Sequence, residues 1–136
     1  MTNTSNRHVR WMAAFTLLSW SGEYVHNRYE LPQLTLLSPE NSIPALISAL
    51  LFLAWWQLPS NRVAAVALLV WAFLQLVGGA IMSVIPFSFL LFYPEQSLGH
   101  YLSHVLYGLA QVPLIVALIR QLRLDDRTKG MSGANA

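Results

Sequence analysis

The sequence predicts an all-α integral membrane protein: a four-transmembrane-helix up-down bundle with both termini cytoplasmic. Three observations carry this. Hydrophobic residues make up 55% of the 136-residue chain and charged residues 10%, against roughly 25% charged in a soluble domain. Four apolar stretches have about the length of a span. Lysine and arginine gather on one side of those stretches.

The first span covers about 11–30. It opens with "WMAAFTLLSW" and ends in "GEYVHNRYE", where ionisable groups crowd together. The segment "NRHVRWMAAFTLLSWSG" also has the basic start and short apolar core of a cleaved signal peptide. The polar phase described below favours a span. The second span, about 43–58, is the charge-free "SIPALISALLFLAWWQL", closed by "LPSNR". The third starts near Val63 and meets no charge before Tyr93. Some 22 residues suffice for a tilted span, so the helix is expected over 63–86, with "FSFLLFYP" turning along the interface. The fourth covers about 97–119. The membrane domain is thus residues 11–120, with a cytoplasmic tail at 1–10 and a disordered cytoplasmic tail at 121–136.

Orientation follows from the basic residues. Arg7, Arg10, Arg62, Arg120, Arg123, Arg127 and Lys129 all fall on the side of the termini, and Arg28 alone sits near the opposite loops beside Glu30, Glu40 and Glu95. Trp11, Trp55 and Trp56 are expected at the inner interface and Tyr24, Tyr29, Tyr93 and Tyr101 at the outer one. Such a chain belongs in a plasma or bacterial inner membrane. Its partners are the lipid bilayer and a second copy or a larger membrane complex. The net charge of +2 is scattered, which argues against nucleic acid. With no cysteine, disulfides, thiolate metal sites and cysteine nucleophiles are excluded.

Two polar stripes carry the candidate chemistry. Thr16, Ser19, Glu23, His26 and Glu30 recur at spacings of three and four in the first span, which puts them on one helical face. Ser97, His100, His104, Tyr107 and Gln111 do the same in the fourth, and Gln75, Gly78 or Gly79, Met82 and Pro86 form a quieter version in the third. Antiparallel packing with matched ends sets Glu30 opposite Ser97, His26 opposite His100, Glu23 opposite His104, Ser19 opposite Tyr107 and Thr16 opposite Gln111.

Intramembrane ionisable groups are costly and point to function. Glu23, His26, His100 and His104 supply the donor types of a zinc, iron or other transition-metal site. Glu23 with His104 is the candidate acid–base pair, and Ser19, Tyr107 and Gln111 are the supporting groups. Haem, with His26 and His100 as axial ligands, is disfavoured because the seam lacks room for a porphyrin. Glu30, Glu40 and Glu95 read as solvated loop charges and Arg28 as a headgroup or Glu partner. The functional expectation is a small multi-pass membrane protein with a polar, metal-binding Glu/His site opening to the outer face. The alternatives are a dimeric proton- or cation-coupled transporter and an accessory subunit of a membrane complex.

Overall fold

The structure, a computed structural model, describes the backbone of residues 3–58, 61–87 and 94–133 and the side chains of 6–58, 62–87 and 94–127. The described residues form four helices and no strand: α1 (Asn3–Glu30), α2 (Pro39–Gln57), α3 (Asn61–Leu74) and α4 (Leu98–Gly133). Beyond Leu74, α3 continues as a π-helical turn over Gln75–Ile81 and a short 3-10 turn over Met82–Val84.

Proline sets most of the boundaries. The residue before a proline is driven out of the helical region, and α1 ends just ahead of Leu31-Pro32. Leu58, before Pro59, and Ile85, before Pro86, both take extended backbone, with ψ of 140° and 126°. Pro39 opens α2, where its missing N–H costs nothing. Pro113 lies inside α4 and cannot donate to the carbonyl four residues back, yet the helix runs on through it.

The tails behave differently from the expectation. α1 starts at Asn3, and α4 extends through 121–133, where disorder was expected. That stretch contains no proline, and two of its side chains are held by other helices. Gln121 accepts from the Trp55 indole at 3.1 Å, and Asp126 pairs with Arg62 at 2.6 Å. Trp55 is accordingly buried in the bundle instead of anchoring an interface, whereas Trp11 and Trp56 are exposed. Tyr93 and most of the "FSFLLFYP" segment lie outside the described residues.

The helices close into a ring. Trp20 of α1 donates to Asn41 of α2, Trp71 of α3 to Ser48 of α2, and Arg62 of α3 reaches Asp126 of α4. His8 meets Gln121 while Glu30 meets His100, so α1 and α4 run antiparallel. The interior has two halves. Toward the termini it is apolar, built from Met12, Trp55, Ala64, Leu68, Leu114 and Leu118 with their neighbours. Toward the α1–α2 turn it is polar, with Ser19, Glu23, His100, Ser103, His104 and Gln111 all buried.

Outside, Leu17, Leu18, Val25, Leu46, Leu50, Val70, Leu102, Leu106 and Leu109 stand exposed. Toward the α1–α2 turn, polar groups inside and aliphatic groups outside invert the usual arrangement. Two segments are long and apolar enough to cross a membrane, Arg62–Val84 and Leu98–Arg127. By that measure α1 and α2 fall short: α1 is diluted by its own polar stripe and basic start, and α2 spends its first turn on Pro39, Glu40, Asn41 and Ser42.

Candidate functional site

The site forms where the stripes of α1 and α4 meet the π-helical turn of α3. Gly22 makes the approach of α1 to α4 possible, since a side chain there would run into Ala110 and the Tyr107 backbone. Ser19 donates to the Gln111 side chain, whose amide donates back to the Ser19 carbonyl at 2.9 Å. This reciprocal pair sets the register, and it lies one helical turn away from the alignment drawn from the sequence. Ser19 meets Gln111 instead of Tyr107, His26 meets Ser103 and His104 instead of His100, and Glu30 meets His100 instead of Ser97.

That shift gathers three imidazoles. The His26 and His104 rings lie 4.1 Å apart between centroids, and His104 and His100 lie 4.4 Å apart. Tyr107 stacks on His26 at 5.5 Å and presses against Gly79, where no side chain would fit beside it.

Each Nδ1 faces an oxygen. His104 Nδ1 is 3.2 Å from the Ala80 carbonyl; a carbonyl only accepts, so this nitrogen carries the proton. His26 Nδ1 is 3.1 Å from the Ser103 hydroxyl, whose one proton is shared between Glu30 Oε1 at 2.7 Å and the His100 carbonyl at 2.8 Å, both pure acceptors when Glu30 is ionised. A hydroxyl whose proton goes to either is left to accept from His26. His100 Nδ1 sits 2.9 Å from Glu30 Oε2, a close contact without the alignment of a full hydrogen bond. His100 Nε2 is buried with no hydrogen-bond partner among the described residues. Among the described residues, no three His, Asp or Glu side chains as placed form a group that could hold a metal ion. The rings instead pack against one another at 59° and 66°.

The π-helical turn supplies the third wall. Extra residues in a π turn break the regular hydrogen-bond ladder and free backbone carbonyls. Ala80 O is taken by His104, and Gly79 O by the Ser83 hydroxyl. At the start of the same turn, Gln75 donates to Glu23 Oε2 at 2.6 Å.

Of the four residues expected to share one site, His26, His100 and His104 come together and Glu23 does not join them. No hydrogen bond or ion pair links Glu23 to His104; Glu23 is satisfied by Gln75. The carboxylate among the histidines is Glu30, expected to be a solvated loop charge but held by His100 and Ser103. Arg28 is not a carboxylate partner either, since it donates to the carbonyls of Pro32 and Leu34. Glu40 and Glu95 are exposed, as expected. Sequence reasoning missed Ser103 and the Ala80 carbonyl. Ser103 was within reach, three residues after His100 and so on the same face; a backbone carbonyl freed by a π turn leaves no such trace. No known protein family, curated protein or solved structure matches the chain, so the site is read from its own chemistry.

Proposed function

We propose that this chain is a small multi-pass membrane protein whose four helices lie in the bilayer and whose His26, His100 and His104 hold a transition metal. The reading rests on one observation above the others: among the described residues His100 Nε2 is buried without a hydrogen-bond partner, on a ring 4.4 Å from that of His104, which in turn lies 4.1 Å from that of His26. A buried nitrogen that makes no hydrogen bond is costly, and a ligand at the Nε2 edge removes that cost. The other ring nitrogens support this. Histidines that bind metal through one nitrogen hold the other against a carboxylate, carbonyl or hydroxyl, and all three Nδ1 atoms here face such oxygens.

Closing on a metal would require the imidazoles to turn from their present ring-on-ring packing. Three imidazoles backed by a carboxylate, a carbonyl and a hydroxyl suit zinc or iron, and they would leave a position for water whose acidity the metal would raise. Residence in a membrane is supported by the polar interior and the aliphatic exterior of all four helices. Lipid neither drives apolar packing nor satisfies polar groups, so helices associate through small residues and interhelical hydrogen bonds. Gly22 against Ala110 and Ser19 with Gln111 are such contacts.

The test is metal analysis of the protein purified in detergent without added chelator. One equivalent of zinc or iron is expected, with loss on His100→Ala and on His104→Ala while both variants stay folded. Metal absent from the unsubstituted chain after reconstitution with zinc and with iron would rule the reading out.

A second reading has its own observation. Glu23 is buried with a neutral amide, Gln75, as its partner, which suits a carboxylate that binds and releases a proton or cation in a dimeric transporter. Proton-coupled uptake abolished by Glu23→Gln would favour it.

A further inference from the structure

Beside the histidines, the π-helical turn and α4 enclose a groove of about 490 Å³. Its walls are aliphatic: Leu76, Ala80 and Val84 on one side, Val105, Leu109 and Val112 on the other. Its polar side chains are Tyr101 and His104, one helical turn apart at the start of the α4 wall. The two segments that form it are both long and apolar enough to cross a membrane, and its rim residues Val105 and Leu109 are exposed, which in the proposed bilayer setting puts them against acyl chains.

We propose that this groove binds the chain of a membrane-dissolved lipid whose single polar end, an alcohol, donates its hydroxyl proton to His104. The proposal concerns the same site but does not rest on a metal: the groove and His104 Nε2 are there without one, and a metal held on that nitrogen would compete with the alcohol for it. Ligand sites are mostly apolar clefts of this size with few convergent polar groups. Here the polar groups are all at one end. A water-soluble ligand finds no hydrogen-bonding partner along Leu76, Val84, Leu109 or Val112. A hydrocarbon without a polar end leaves His104 unmatched. His104 is buried and its Nδ1 is committed to the Ala80 carbonyl, so Nε2 is the nitrogen that meets the lipid oxygen. Gly108 keeps the floor open: a methyl there would rest on Leu76 and Ala80 at van der Waals distance, and anything larger would fill the groove.

The experiment uses the full chain in phosphatidylcholine nanodiscs with two photoactivatable ligands, hexadecanol and hexadecane, each with a diazirine at mid-chain. Hexadecanol label is expected on 76–85 and 101–112 above all other lipid-facing segments. His104→Ala should cut hexadecanol labelling there about fivefold, the weight of one hydrogen bond, and leave hexadecane labelling unchanged. Val105→Trp, which fills the groove, should remove most of the groove label, and Leu106→Trp, on the neighbouring lipid face, should not. Even labelling of all exposed helix faces would overturn the proposal. So would disulfide cross-linking between two copies through Val105→Cys, which would make the groove a subunit contact. If Val105→Trp fails to fold, the map on the unsubstituted chain decides alone. Metal content measured on the same samples separates the two readings. Groove labelling without metal sinks the metal site and keeps the lipid, and metal with even labelling does the reverse.

Discussion

Glu30 and Glu23 are two carboxylates on one face of α1, and their partners give them different tasks. Glu30 touches His100 directly and His26 through Ser103; Glu23 touches Gln75. Removing a carboxylate behind a metal-binding histidine weakens the metal by roughly 10–100-fold. Glu30→Gln is therefore expected to lower metal affinity by about that factor, while Glu23→Gln leaves it within about twofold, because no histidine leans on Glu23. Competition with a metal-sensitive dye, measured on both variants, checks this. Equal losses would mean that the two carboxylates share one site. The i, i+3, i+4 stripes made the histidines legible from the chain alone, because a face is a property of one helix. Which carboxylate they meet depends on how two helices slide, and one turn of sliding exchanges Glu23 for Glu30. That turn is set by Gly22 lying on Ala110 and by Ser19 exchanging bonds with Gln111, contacts that pattern does not encode.

At the scale of the helix, α1 against α4 and the π-helical turn of α3 each have a test. A side chain at position 22 runs into Ala110 and the Tyr107 backbone, and overpacking of this kind costs about 1–3 kcal/mol. Gly22→Leu should lower stability by that amount and loosen the Ser19–Gln111 pair, as read by thermal unfolding in detergent. Gly78 is the opposite case, with open space where its side chain would be. Gly78→Ala should be neutral or stabilising by up to about 1 kcal/mol. Deleting Gly78 is more informative. It would return the turn to α-helical spacing and rotate everything after it by roughly 100°. The Ala80 carbonyl would leave His104 while Gln75 stays on Glu23, so metal affinity should fall and the fold should survive. Retained metal in the deletion would show that the turn does not orient His104. The helices themselves were largely readable, since prolines at 32, 59 and 86 and the apolar runs between them place three of the boundaries. The extension of α4 to Gly133 was not, because its support comes from Trp55 and Arg62, far away in the sequence.

For the whole molecule, the proposed bilayer placement and the distribution of basic residues make one prediction of orientation. Reporters fused at Arg62 and after Ala136 should read as cytoplasmic and one at Ser38 as external; an external reading at Ala136 would defeat the orientation. The buried seam between α1 and α4 carries a wider consequence. The fastener and the binding site are made of the same side chains, divided edge by edge. The Nδ1 edges of the histidines, together with Ser103 and Glu30, close one helix onto the other; the Nε2 edges are left over. A ligand that takes only the spare edges tightens the closure. One that claims the Glu30 carboxylate, as a hard oxygen-seeking cation would, has to unbutton the outer end of the bundle to be held there.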